Sequence, residues 1–345
     1  MLRRTLAVGL TIVAVLAAGW LALRRADIPY DTLETIYALP DSQFMTLDDG
    51  LKIHFTDTGP QDRSTIVLVH GFSSSLHTWD AWKTDLEMDY RVITLDLPGH
   101  GLSRAEDPAQ AKIGRFVDVV KDVTEHLGAE RFTLAGSSMG GNTAWSYALA
   151  HPDTLDGLIL VGASGWPEEN GEGDDSPFIF TLLANPIART VLKDLDMTSL
   201  TRSGLEDSYT DQSFVTDELV DRFIALSRAP GHRATLLAIM AGERVEATTE
   251  TVSNISVPTL MIWGRDDNLV PVSGAQKFGD AIKGSQVIVY DGVGHIPQEE
   301  NAEQSIADVR AFMLEVEWNS LDEESIVPAG DPTLDPNRPQ EDDGN

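Results

Sequence analysis

Apolar and polar positions follow two different periods along this chain. Residues 64–70 (STIVLVH) and 91–95 (RVITL) are nearly continuous apolar runs rich in β-branched side chains, the pattern of strands covered on both faces in a parallel sheet. Residues 132–134, 158–161, 259–263 and 287–290 repeat it. Residues 79–88 and 116–127 instead place apolar side chains at helical spacing. Buried strands alternating with amphipathic helices predict an α/β fold built on a doubly wound, mostly parallel sheet. Ahead of it, in residues 43–58, two short alternating runs flank Asp49-Gly50, a hairpin signal.

One interval breaks the rhythm. Residues 165–256 hold no buried-strand pattern, only helical segments at 178–184, 187–192, 217–226 and 234–241. A helical block inserted between two strands predicts a cap over the sheet edge on which it sits. Phe178, Phe180, Leu182, Phe214, Phe223 and Met240 are its candidates for lining a substrate pocket, against the plainer alternative that they form the cap's own core. The expected organisation is a core of residues 43–164 and 257–317, a cap at 165–256, a polar linker at 26–42 and a tail at 318–345. That tail is acidic and proline-rich and has too little apolar surface to fold.

At the other end, Arg3 and Arg4 precede an uncharged run, residues 5–23, closed by Arg24 and Arg25. As a helix this run would span about 30 Å, the thickness of a bilayer core. It predicts an uncleaved membrane anchor at 1–25 with the bulk of the chain periplasmic or extracellular. The alternative is secretion after removal of a signal peptide, whose apolar core is normally shorter, about 7–15 residues.

Composition narrows the partners. With 55 acidic against 25 basic residues the net charge is −30, which argues against nucleic acid and against electrostatic adhesion to anionic lipid. There is no cysteine, hence no disulfide framework and no thiolate metal site. No metal-ligand spacing is evident, no cofactor is expected, and the expected partner is a small molecule.

Candidate chemistry centres on Gly136-Ser137-Ser138-Met139-Gly140. It sits between a strand pattern and a helix pattern, where two glycines allow a strand and a helix to approach closely and force the central serine to the apex. Taken alone, a glycine-serine cluster also marks ordinary turns. The rest of the chain supplies what a serine nucleophile requires, a base and a group that orients the base. The strand at 259–263 ends in Gly264-Arg265-Asp266-Asp267, and the strand at 287–290 ends in Asp291-Gly292-Val293-Gly294-His295. Serine, acid and histidine, each beyond a strand's carboxyl end, is one hydrolase chain order.

Five motifs in this order, His70-Gly71-Phe72, Asp96-Leu97-Pro98-Gly99-His100-Gly101, Gly136-Ser137-Ser138-Met139-Gly140, Trp263-Gly264-Arg265-Asp266-Asp267 and Gly294-His295, resemble the α/β-hydrolase fold family. The likeness covers residues 43–316 and points to its cap-bearing branch. It implies Ser138 as nucleophile, His295 as general base, and Asp267 rather than Asp266 as the acid. It also implies an oxyanion hole from the backbone N–H groups of Phe72 and Met139. His70 and His100 then brace loops, while His54, His77, His126, His151 and His232 lack a strand-end context.

Within that branch, dehalogenases and epoxide hydrolases carry a carboxylate where this chain has Ser138. C–C hydrolases of the meta-cleavage type use serine, but many have tryptophan after the histidine, where this chain has Ile296. The expectation is therefore a carboxylic ester hydrolase for short to medium acyl chains. The alternatives are C–C hydrolysis and a non-catalytic receptor or scaffold on the same fold.

Overall fold

The structure is a computed structural model that describes residues 11–167, 185–242 and 244–325, apart from positions 12, 13 and 16. Its strands are β1 (Gln43–Thr46), β2 (Lys52–Thr58), β3 (Thr65–Val69), β4 (Arg91–Leu95), β5 (Phe132–Ser137), β6 (Leu155–Val161), β7 (Thr259–Gly264) and β8 (Gln286–Tyr290). They form one sheet in the order β1-β2-β4-β3-β5-β6-β7-β8. Only the pairs β1–β2 and β2–β4 are antiparallel; from β4 to β8 every pairing is parallel. This is the mostly parallel sheet that the apolar runs predict.

The helices are α1 (Tyr30–Tyr37), α2 (Asp80–Leu86), α3 (Ile113–His126) and α4 (Met139–Ala150), then, between β6 and β7, α5 (Pro186–Leu192), α6 (Thr198–Ser208), α7 (Asp217–Ser227), α8 (His232–Ala241) and α9 (Thr249–Val252), and finally α10 (Ser273–Ala281), α11 (Pro297–Glu300) and α12 (Ala302–Ser325). A strand sends successive side chains to opposite faces, so each apolar run feeds two cores. Val67 and Val69 join Leu134, Phe116, Trp145 and Phe278 on one side. Ile66 and Leu68 join Trp79, Trp82, Ile262 and Phe312 on the other. Burying each such side chain is worth about 1.5–3 kcal/mol, which is why the central strands tolerate no polar alternation.

The hairpin forms with a longer connection than two residues. Thr46 pairs with Lys52, Gly50 has φ +89°, and the Leu47 N–H donates to the Leu51 carbonyl at 2.8 Å. Within residues 26–42 lies α1, because Leu33 finds a fully buried place beside Leu102, Leu226 and Ala229. Between β6 and β7 the described chain is helical, with α6 and α9 added to the segments expected there. Residues 178–182, including Phe178, Phe180 and Leu182, lie outside the described residues. At the other end α12 runs on to Ser325, past the expected start of the tail, and residues 326–345 lie outside the description.

The expected membrane placement does not hold. Among the described residues no helix is long and apolar enough to cross a membrane, so the anchor, the signal-anchor reading and the periplasmic or extracellular assignment are withdrawn. Residues 5–10, 12, 13 and 16 of the apolar run lie outside the described residues. Its described end docks on the chain itself. Trp20 Nε1 donates to the Val191 carbonyl at 3.1 Å, Leu23 and Arg25 exchange backbone hydrogen bonds with Asp196 and Asp194, and Arg25 pairs with Asp196 at 2.8 Å. An apolar run reads alike whether it meets lipid or protein, and only these long-range partners separate the two cases.

Candidate active site

Ser138 links β5 to α4 with φ +54° and ψ −116°, a conformation that costs a non-glycine residue about 1–3 kcal/mol and persists only where the surroundings enforce it. They do so from three sides. A Cβ on Gly136 would overlap the Gly140 carbonyl, and one on Gly140 would overlap the Val69 carbonyl, so strand, turn and β3 touch backbone to backbone. The Ser138 N–H donates to the Val161 carbonyl at 2.9 Å, and its own carbonyl accepts from Asn142 and Ser164 at 3.1 Å each. Ser137 points inward, 1% exposed, and accepts from Gln298 Nε2 at 3.3 Å, whereas Ser138 is half-buried. Ser138 therefore holds the apex.

Beyond the ends of β7 and β8, His295 Nδ1 lies 2.8 Å from Asp267 Oδ2. The other oxygen of Asp267 accepts the N–H groups of Leu269 at 2.9 Å and Val270 at 2.8 Å. With both oxygens accepting, the carboxylate takes the imidazole N–H on Nδ1 and leaves Nε2 as the acceptor. Asp266 instead receives the Gly292 N–H at 3.1 Å, and Arg265 pairs with Asp291, so the neighbouring charges close the loops among themselves. Gly162, φ +50° after β6, fits against this pair: a Cβ there would lie 3.3 Å from His295 Nδ1 and 3.4 Å from Asp267 Oδ2.

Met139 is the first residue of α4, so its N–H is among those a helix leaves without an intrahelical acceptor. Phe72 lies in the turn after β3, on the peptide it shares with the Gly71 carbonyl. That carbonyl accepts from His70 Nδ1 at 2.7 Å, while His70 Nε2 accepts the Leu97 N–H at 3.0 Å. These two bonds fix a neutral tautomer, and burial pushes the His70 pKa down against the opposing pull of Asp96. Gly71 also abuts the serine, since a Cβ there would stand 3.1 Å from Ser138 Cβ.

Two groups around the site find their partners only in the fold. Fully buried Asp96 accepts from the N–H of Leu76 at 2.7 Å and of Leu102 at 2.8 Å. It also contacts His54 Nδ1 at 2.6 Å, and His54 Nε2 reaches Ser42 Oγ at 2.6 Å. Burial alone would raise the Asp96 pKa, but the charge and hydrogen bonding of His54 hold it well below the carboxylate range. His54 thus has a partner that its sequence neighbourhood conceals. The second group is the carboxylate pair of α11. Glu299 receives Thr78 Oγ1 at 2.5 Å and Tyr209 OH at 2.8 Å, and burial pushes its pKa up. Glu300 receives the N–H groups of Gly294 and Asp211.

The cap candidates separate. Phe223 packs against the cluster of Leu205, Tyr209 and Val220, which Ile296 also joins. Phe214 stacks on Tyr209 at 5.6 Å, and Met240 is 38% exposed. Asn142 Nδ2 holds the Val245 carbonyl at 2.9 Å, tying the segment before β7 to α4. Among the described residues no group of three or more His, Asp or Glu side chains is placed to hold a metal ion.

Residues 64–302 match the family model described as alpha/beta hydrolase fold. The chain is similar to the 2-hydroxy-6-oxononadienedioate/2-hydroxy-6-oxononatrienedioate hydrolase of Cupriavidus pinatubonensis, 28% identical over 274 residues, covering 76% of this chain and 91% of that protein. It is 30% identical over 270 residues to the dihydrolipoyllysine-residue acetyltransferase component of the acetoin cleaving system of Pseudomonas putida, covering 76% and 67%. Among solved structures it resembles a meta-cleavage product hydrolase (TM-score 0.67, 25% identity, 79% and 98% covered). It also resembles a thermophilic esterase from Thermogutta terrifontis (TM-score 0.65, 25% identity, 80% and 98% covered).

Proposed function

The chain belongs to the α/β-hydrolase fold family and is a hydrolase, and from that premise we propose that it cleaves carboxylic esters through an acyl-enzyme on Ser138. Two observations carry the proposal: a strained serine at the apex of the strand-to-helix turn, and a histidine beyond β8 whose Nδ1 is held by a fully engaged carboxylate.

In this reading His295 Nε2 takes the Ser138 hydroxyl proton as Oγ bonds to the ester carbonyl carbon. The carbonyl electron pair moves onto oxygen, where the N–H groups of Phe72 and Met139 receive it; one such donor is worth about 3 kcal/mol in the transition state. Collapse of the tetrahedral species breaks the alkoxy C–O bond, and His295 returns its proton to the departing alcohol. Water repeats the sequence on the acyl-enzyme, releasing the acid and restoring Ser138.

C–C hydrolysis is the second reading, and the identity to hydrolases of a dicarboxylate substrate supports it. Charge weighs against a dianion here. The net charge is −30, and in sequence residues 168–175 carry Glu168, Glu169, Glu172, Asp174 and Asp175 without a basic residue. Among the described cap arginines Arg202 pairs with Asp217 and Arg233 with Asp27, whereas the charge of Arg222 acts on Glu299 and Tyr209 beside the site. A chain of net charge −30 disfavours the approach of a dianion more than that of a neutral ester. We accordingly place short to medium acyl esters first.

Turnover of p-nitrophenyl esters from acetate to laurate, beside that of a meta-cleavage dienedioate, tests this. Ester turnover that peaks at short or medium chains and disappears in Ser138→Ala supports the reading. Equal ester rates for both proteins, or faster turnover of the dienedioate, would overturn it.

A further inference from the structure

The loop that carries His295 is held by the cap as well as by the end of β7, where the Asp266 N–H donates to the Val293 carbonyl at 3.0 Å and the Asp266 carboxylate accepts the Gly292 N–H. The His295 N–H donates to the Ser208 carbonyl, at the end of α6, at 2.7 Å. Immediately before it, Gly294 is packed so closely that a Cβ would lie 2.5 Å from the same carbonyl. The Gly294 N–H donates to Glu300 Oε2 at 2.6 Å, and the other oxygen of Glu300 accepts the Asp211 N–H of the cap at 2.5 Å. One carboxylate thus joins the backbone of the histidine loop to the backbone of the segment that follows α6.

Next to it Glu299 makes the same kind of bridge in side chains, from Thr78 in the short 3-10 helix Leu76–Trp79 to Tyr209. Gln298, between these bridges and the sheet, is fully buried and reaches both Thr78 and Ser137. The three successive residues Gln298, Glu299 and Glu300 therefore tie the turn below Ser138, the loop of His295 and residues 209–211 of the cap into one unit.

We propose that Glu300 is a positioning residue for His295, which brings the base to its working place only while the 208–211 segment of the cap is docked. The proposal rests on the reading of Ser138 and His295 as nucleophile and base. Its physical basis is that an imidazole must be placed to a fraction of an ångström to accept the serine proton, and a displacement near 1 Å costs about 10²-fold in rate. Asp267 fixes the rotation of the ring about Nδ1. It does not fix the backbone from which the ring hangs, and that backbone bonds to Ser208 and Glu300.

Two substitutions open the bracket at different ends. Glu300→Gln leaves one oxygen to accept and turns an NH2 group toward the second N–H donor. Asp211→Pro removes the cap N–H together with the carboxylate that accepts the Ser213 N–H, at a residue whose φ of −84° lies near the range of a proline ring. The measurement is the rate and final stoichiometry of fluorophosphonate labelling at Ser138, with kcat and KM on the best p-nitrophenyl ester. Glu303→Gln, an exposed change on α12, serves as the unchanged control.

The expected result for both variants is labelling that still reaches one per chain but about tenfold more slowly. In parallel, kcat is expected to fall by the same factor and KM to stay within twofold. A merely structural role would lower the endpoint rather than the rate. Wild-type rates in both variants overturn the proposal, as does loss of folded protein in both. Absence of labelling in the wild type would instead sink the serine-hydrolase reading, so the two failures are distinct.

Discussion

His295 Nδ1 and Asp267 Oδ2 lie 2.8 Å apart although 28 positions separate them in the chain, and the second oxygen of Asp267 is spent on the N–H groups of Leu269 and Val270. The carboxylate is thereby fixed in orientation before it meets the imidazole. Asp267→Asn keeps the shape but offers an NH2 group to either the imidazole or the two amides. Ester turnover is expected to fall by about 10⁴-fold. Asp266→Asn, which touches only the Gly292 N–H, is expected to stay within about threefold of wild type, because an uncharged acceptor remains for that donor. A kcat comparison of the two variants checks this, and similar losses in both would misassign the acid.

Ser138 has a left-handed φ of +54° that glycine adopts without strain. Ser138→Gly is expected to abolish ester turnover while stabilising the fold by about 1 kcal/mol, seen as a rise in Tm of about 2–4 °C. A Tm that stays level or falls would show that the turn is not strained.

Gly162→Ala adds a methyl group 3.3 Å from His295 Nδ1 and 3.4 Å from Asp267 Oδ2, at a φ of +50° that alanine resists. The expected outcome is a loss of about tenfold in kcat from misplacement of the pair, together with a lower Tm. Retention of full kcat would show that the pair yields to a methyl group without consequence.

His232 is buried, and burial pushes its pKa down to about 4 from the ordinary histidine value of about 6.5. A group depressed in the folded state binds its proton more readily unfolded. Its contribution to stability is therefore complete above pH 6.5 and is lost as the pH falls toward 4. His232→Gln should remove this dependence, so the difference in unfolding free energy between wild type and variant should shrink on acidification from pH 7 to pH 4. Urea titrations across that range check it; a constant difference would assign the acid sensitivity elsewhere.

Much of this could be read from the sequence because its causes are local. Continuous β-branched runs at 65–69 and 91–95 admit one environment, a strand covered on both sides. Glycines at 136 and 140 mark a strand-to-helix crossing where a Cβ has no room. The apex serine and the two strand-end turns bearing Asp267 and His295 follow from the same local rules.

Other features depend on partners far away in the chain. The helix at Tyr30–Tyr37 was hidden in a polar linker because its reason to fold is one buried leucine, Leu33, packed on Leu102 and Leu226. Residues 5–23 carry enough apolar side chains for a bilayer, yet the described end of that run hydrogen-bonds to Val191, Asp194 and Asp196. Glu299 and Glu300 look like surface acids in a chain full of them, and only their meeting with Tyr209, Gly294 and Asp211 sets them apart.

By itself, then, the sequence determined the order of strands and helices, the sharp turn at Ser138 and the residue types available at the sheet's carboxyl edge, since these depend on period, volume and backbone freedom within a few positions. The tertiary structure decided which acid meets His295, where the first helices dock and what holds the histidine loop to the cap. Those outcomes depend on which groups lose water together, and only the folded chain brings such groups into contact.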